Sequence, residues 1–262
     1  MTNVHVDRIV ELDDIARRAA EALAGSVGVV CGIRQIGKSQ LLYQARAQDN
    51  GTRPACMVDL ADVTEPEEVL QRLVRRLQTI RFRNYTKVKS AIEPVRPTLT
   101  FGEVTMSGQA SMHNVIDGVD QRASDTRRLT PPFVEDLRKA RGQRPLLLFD
   151  HFDRCPSAAV GRWLCQDLLP DIARTADVLV LVAAESVPWA GRDPQAWIDG
   201  VDPFVLHLQP LSVDDVLDWI TQLGIEPSRV LADFLWKTRK GVPGPIADEL
   251  GIYLAESGTG RP

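Results

Sequence analysis

The 262-residue sequence predicts an α/β fold, a parallel sheet with helices on both faces, followed by a small C-terminal helical lid. Three observations carry this reading. Short apolar runs alternate with amphipathic stretches along most of the chain. One glycine-rich turn joins such a run directly to a helix. From Ser212 onward the pattern is purely helical.

Ile9, Leu12, Ile15, Ala19 and Leu23 recur at helical spacing, so residues 8–24 form an amphipathic helix, ended by Gly25. Val27 to Cys31 is the short, β-branched run expected of a buried parallel strand, and a helix resumes from Lys38 to Ala47. Cys56 to Leu60 reads as a second strand. Glu65 to Ile80, opened by Thr64 and Pro66, is a helix with Val69, Leu70, Leu73 and Leu77 on its apolar face. Residues 81–130 are an irregular insert. They begin basic (Arg81, Arg83, Lys87, Lys89), contain Pro94 and Pro97, and pass through TLTFGEVTMSG, where a hairpin and a mobile loop are both open.

Pro132 to Arg141 reads as a short helix leading into a strand over Pro145–Asp150. A helix over 159–175, a strand from Val178 to Ala183 and a fifth strand from Phe204 to Leu208 follow. Helices at Val213–Leu223, Ser228–Thr238 and Pro245–Ala255 complete the chain. The expected division is a core over 1–208 and a lid with C-terminal tail over 209–262.

Composition removes several function classes. The net charge of −4 gives no global basic field for nucleic acid or anionic membrane, although a local patch stays open. Cys31, Cys56, Cys155 and Cys165 form no CxxC pair and the histidines are dispersed, so no zinc site is expected. The cysteines read as reduced residues of a cytoplasmic protein. The N-terminus lacks the layout of a signal peptide, and no apolar run approaches the roughly 18–20 residues of a membrane span.

Gly32-Ile33-Arg34-Gln35-Ile36-Gly37-Lys38-Ser39 matches G-x-x-x-x-G-K-[ST] between an apolar strand and a helix, the context that a P-loop requires. Its glycines let successive backbone N–H groups turn inward toward phosphate oxygens, and the following helix aims its positive end at the same place. The binding set is Gly32, Arg34, Gln35, Ile36, Gly37, Lys38, Ser39 and Gln40. Lys38 is expected to reach the β- and γ-phosphates of ATP or ADP, and the Ser39 hydroxyl to ligate Mg²⁺. Asp150, at the end of a strand, is the expected carboxylate for the Mg²⁺ shell. His151, not an acid, follows it. Asp153 is read as a base, a second Mg²⁺ anchor or the cap of the next helix, so hydrolysis is less secure than binding.

At these residues the chain resembles the STAND branch of P-loop NTPases, which includes the NACHT and NB-ARC groups. LLLFDHFDR is similar to that family's strand followed by D-x-hydrophobic-D. HVDRIVEL resembles its motif ahead of the P-loop, which places Arg8 and Glu11 as residues flanking the nucleotide. LHLQPLSVDDVLDWITQLGI resembles the transition into the lid, and TRKGVPGPIADEL the lid's G-x-P motif, which puts Pro243 beside the base. The resemblance implies sheet order 5-1-4-3-2 and an ATP/ADP conformational switch, with protein partners or self-association. VAAESV departs from it, since Glu185 stands near the position of a γ-phosphate sensor; Arg34 or Arg154 could supply that charge.

Two function classes follow: a signalling or defence-type ATPase switch, or an AAA+-like ATPase acting on nucleic acid, such as a replication initiator or transposition helper. A nucleotide-bound scaffold without turnover is a third. Trp163, Trp189, Trp197, Trp219 and Trp236 form no platform by spacing and read as packing residues. The basic stretch from Arg72 to Lys89 could bind a phosphate backbone, but a charge run is more often a solvated face. Cys31, beside the P-loop, is either oxidisable or an inert strand-end residue.

Overall fold

The computed structural model describes residues 8–21, 26–48, 53–92, 111–140, 142–175, 177–186 and 203–256, with the side chains of 21 and 111–124 excepted. The elements run α1 (Ile9–Glu21), β1 (Ser26–Cys31), α2 (Lys38–Gln48), β2 (Ala55–Asp59), α3 (Pro66–Arg76), α4 (Arg83–Ile92), α5 (Ser111–Lys139) and β3 (Leu146–Asp150). They continue with α6 (Ala158–Trp163), a π-helical segment (Leu164–Leu168), α7 (Leu169–Ala173), β4 (Leu179–Ala184) and β5 (Phe204–His207). Three helices complete the described chain: α8 (Val213–Gln222), α9 (Arg229–Arg239) and α10 (Pro243–Glu256).

The five strands form one parallel sheet in the order β2-β3-β4-β1-β5, the expected order read from the other edge. Side chains alternate between faces with a period of two, and the core divides accordingly. Val27, Val29, Leu147, Phe149, Val180 and Val182 pack toward α3, α5, α6 and α7. Val30, Leu146, Leu148, Leu179 and Leu181 pack toward Leu12 and Ile15 of α1 and Leu41 and Leu42 of α2. A sheet covered on both faces accounts for strands that read as continuous apolar runs. A separate apolar cluster, from Leu211 through Trp219, Ile220 and Leu235 to Leu250, holds α8, α9 and α10 together.

The irregular insert is corrected in part. Residues 83–92 are helix α4, and α5 begins at Ser111, well before the expected start at Pro132. Residues 93–110, with the hairpin-or-loop segment, lie outside those described. The sequence reading failed at α5 because Pro131 and Pro132 lie inside the helix, where each removes a backbone donor. Burial of Leu129, Phe133, Val134 and Leu137 offsets that cost. Phe133 stacks on Phe82 with centroids 5.1 Å apart and meets Tyr85 edge-on. Trp163 Nε1 donates to Thr130 Oγ1 at 2.9 Å, fixing α6 to the same turn.

Asp136 of α5 joins the two helices of the insert. Its buried carboxylate accepts from the Tyr85 backbone N–H at 2.9 Å and from Asn84 Nδ2 at 2.8 Å, at the start of α4. This satisfies donors that a helix N-terminus leaves open. Asp136→Ala is expected to lower unfolding free energy by about 2–3 kcal/mol in urea titrations, since it strands a buried backbone donor. A loss below about 0.5 kcal/mol, the level of an ordinary surface substitution, would show that α4 is held by its apolar contacts alone.

Candidate nucleotide site

In a parallel sheet all strands end on one edge, and the loops there define the site. Between β1 and α2 the backbone turns through Gln35 at φ 64° and Gly37 at φ 103°. Gly37 suits this conformation because it lacks a Cβ, and the space where a Cβ would stand is open. Lys38 Nζ donates to the carbonyls of Gly32 at 2.5 Å and Ile33 at 3.0 Å. Burial lowers the pKa of its ammonium, against the opposing pull of Glu185, Asp153 and Asp150.

The P-loop floors a cavity of about 490 Å³. Arg8, Arg34, Gln35, Ile36, Gly37, Lys38, Ser39 and Gln40 line it, with His151, Asp153, Arg154 and Glu185 from the ends of β3 and β4. Trp219, Pro243, Gly244 and Ala247 line it from α8 and α10. The site residues read from the sequence therefore converge, apart from three that are not in the wall: Gly32, Asp150 and Glu11, the last bonded to Arg8. Gly32 lies at the end of β1, and Asp150 has a side chain only 4% exposed.

Asp150 closes β3 in register with Asp59, which closes β2. Asp150 Oδ1 accepts from the His151 backbone N–H at 2.8 Å. His151 is left-handed, at φ 56° and ψ 40°, and its Nδ1 stands 2.9 Å from Asp59 Oδ1. Asp59 Oδ1 also accepts from Ala61 N–H at 2.9 Å. Burial pushes the Asp59 carboxyl up, but that backbone donor and the His151 ring outweigh it and hold its pKa below the usual carboxylate range. Asp153 does not cap the next helix, a correction to one of its three readings. Ser157 caps α6 instead, accepting from Val160 N–H, while Asp153 Oδ2 accepts from the Glu185 backbone N–H and so ties the end of β4 to the loop after β3.

Arg8 is buried and makes three bonds: to Glu11 Oε1 at 3.2 Å, to the Ile36 carbonyl at 3.2 Å and to the Gln209 carbonyl at 2.8 Å. It thereby links α1, the P-loop and the entry to the lid. Helix α10 begins two residues earlier than expected, with Pro243 at its first position, where a proline's missing N–H costs nothing. Gly244 N–H donates to the Gln35 carbonyl at 3.0 Å, and a Cβ on Gly244 would stand 2.6 Å from Gln35 Cβ. The lid thus rests on the tip of the P-loop.

Sequence reasoning missed Asp59, Gly244, Ala247 and the placement of Trp219 in the cavity wall; Trp189 and Trp197 lie outside the described residues. Asp59 had a signal: ACMVD ends in aspartate as LLLFD does. Cys31 is buried, and burial with the Asp153 charge pushes its thiol up to about 11, so it stays protonated and unreactive near neutrality. None of the four cysteines is in a disulfide.

The donor set fits ATP with Mg²⁺. Mg²⁺ is held by one or two protein oxygens together with substrate phosphates, not by a protein cage. The open space over Gly37, with Lys38 and Ser39 in the same wall, leaves room for phosphates. No described helix is long and apolar enough to cross a membrane.

No family model and no curated protein matches the sequence. Solved structures do match in fold. A DNA replication initiation factor gives a TM-score of 0.52 at 10% identity, over 97% of this chain and 65% of that one. Drosophila ORC bound to DNA gives 0.51 at 16% identity, over 95% of this chain and 56% of that one. A Signal Transduction ATPase with Numerous Domains protein carrying a tetratricopeptide repeat sensor, from Pyrococcus horikoshii, gives 0.49 at 16% identity, over 92% of this chain and 29% of that one. The chain is thus shorter than each of these three proteins and spans less than two thirds of their length, and what it shares with them is the fold.

Proposed function

We propose that this chain, on a P-loop ATPase fold, binds ATP and ADP with Mg²⁺ and serves as the nucleotide-switch module of a signalling or defence-type STAND ATPase in the cytoplasm. One observation carries the reading: the P-loop and the start of α10 line the same cavity, with Gly244 seated directly on Gln35. A ligand spanning that cavity touches both, so its terminal phosphate is in a position to bias how the lid sits.

In this reading Gly32, Arg34, Gln35, Ile36, Gly37 and Gln40 wrap the phosphates, and Lys38 supplies the facing charge. Ser39 and Asp150 hold the metal shell, which when bound neutralises phosphate charge. Arg8 holds the loop and Pro243 lies beside the base. The functional division is a core over 1–208 with a lid over 209–262, and the switch works through protein partners or self-association.

ATP and ADP are expected to bind in calorimetry, with Mg²⁺ strengthening ATP more than ADP. The two complexes are expected to differ in sedimentation or in proteolysis near Gln209. Binding with identical hydrodynamics and cleavage would leave a nucleotide site and remove the switch.

A second reading, an AAA+-like ATPase acting on nucleic acid, draws on the replication initiation factor and on Drosophila ORC bound to DNA, both similar in fold only. Duplex DNA binding near micromolar affinity that weakens steeply with salt would favour it. The formal charge of −4 opposes it.

A further inference from the structure

Resting on the reading of this cavity as a nucleotide site, we propose that Glu185 is its selectivity residue: the negative charge at the end of β4 opposes a γ-phosphate, so the site takes a nucleoside diphosphate in preference to a triphosphate. Ala184, the last residue of β4, is in register with Cys31, the last residue of β1. Glu185 and Gly32 are the next residues along the two chains, so Glu185 leaves the sheet beside the first residue of the P-loop.

The surroundings of Glu185 are fixed on two sides. Its backbone N–H donates to Asp153 Oδ2, which ties the turn after β4 to the loop after β3. On the other side stands the ammonium of Lys38, bonded to the carbonyls of Gly32 at 2.5 Å and Ile33 at 3.0 Å. Glu185 lines the cavity together with Lys38. Its charge is the foremost of those that support the ammonium, ahead of Asp153 and Asp150.

A P-loop cradles the α- and β-phosphates on its backbone N–H groups, and its lysine reaches the β- and γ-phosphates. ADP therefore lies within the cradle, while the γ-phosphate of ATP extends past Lys38 toward the ends of β3 and β4. There it adds negative charge near a carboxylate already matched to one ammonium, and like charges a few ångströms apart in a half-buried cleft repel. Two cations of the wall serve other groups: Arg8 is bonded to Glu11 and two carbonyls, and Arg154 supports Asp59. Arg34 belongs to the loop, which cradles the phosphates common to both nucleotides. Mg²⁺ offsets phosphate charge when bound, so the preference is strongest without it.

Competition against mant-ADP measures ADP and ATP affinities of the whole chain and its variants, in EDTA and with Mg²⁺, with thermal melting to show that each variant folds. In EDTA the parent is expected to bind ADP about tenfold more tightly than ATP, a gap that narrows as added salt screens the charges. Glu185→Gln is expected to raise ATP affinity about tenfold with ADP affinity within about threefold, and Glu185→Lys to turn the preference toward ATP. Asp153→Asn is expected to move the ratio less. A parent that binds ATP as well as ADP in EDTA, or a ratio unchanged in both Glu185 variants, would overturn the assignment and leave the nucleotide site intact. So would a larger effect from Asp153→Asn. A loss of ATP affinity in Glu185→Gln seen only with Mg²⁺ would place Glu185 in the metal shell and overturn it too. Failure of the parent to bind ADP or ATP, by this assay and by calorimetry, would remove the site reading and the selectivity with it.

Discussion

Lys38→Ala is expected to reduce affinity for ATP by at least about 100-fold, or about 2.7 kcal/mol, the largest loss of any single substitution in the site. The argument rests on where the ammonium stands. It is half-buried at the start of α2, where burial destabilises the charged form and three carboxylates at the strand ends support it. Its present acceptors are the carbonyls of Gly32 and Ile33, both within the loop itself. A triphosphate offers this partly desolvated cation much stronger, fully charged acceptors. Alanine removes this cation from beside Glu185 and Asp153 and leaves only the arginines of the cavity wall to offset the phosphates. Calorimetry with ATP and ADP checks this, with thermal melting to show that the fold persists. Unchanged affinity would sink the phosphate-cradle assignment.

Gly241→Ala is expected to destabilise the lid by about 2–4 kcal/mol, combining backbone strain with overpacking. Gly241 lies in the turn between α9 and α10 at φ 69°, a left-handed conformation costly for alanine. A Cβ there would stand 2.3 Å from the Leu211 carbonyl oxygen and 3.1 Å from Leu211 N, backbone atoms that cannot rotate aside. Leu211 N–H also donates to the Gly241 carbonyl at 2.8 Å, so retreat on either side breaks that bond. Because α10 carries Pro243 and Gly244 into the cavity wall, the loss reaches the site. Hydrogen exchange should show early opening of 211–256 with the sheet still protected. Equal loss of protection in both would mean that lid and sheet unfold as one unit.

The sheet was legible in the sequence because a strand buried on both faces leaves little choice of residue. ACMVD, LLLFD and LVLVAA read as strands by composition alone. The P-loop was legible because its chemistry constrains residues that are adjacent in the chain. The insert was not, because Pro131 and Pro132 signal a helix start wherever packing does not override them. The partnership of Asp59 with His151 spans 92 positions and depends on the strand register, which no local pattern encodes. The seat of Gly244 on Gln35 was hidden for the same reason: it is a property of two turns meeting, and either turn alone is unremarked.

The Arg8 tie has a consequence for the order of events in synthesis. Its acceptors lie 28 and 201 positions along the chain. A ribosome adds roughly 5–20 residues per second, so the nearer bond becomes available many seconds before the farther one. Closing the longer loop costs only about 2 kcal/mol more entropy than closing the shorter, since the cost grows with the logarithm of length. During that interval β1, which carries the P-loop, still awaits both its neighbours, β4 and β5, and the guanidinium keeps one acceptor to come. Gln209 follows β5 by two residues, so the strand that completes the sheet beside the P-loop and the acceptor that fastens the lid to it arrive together.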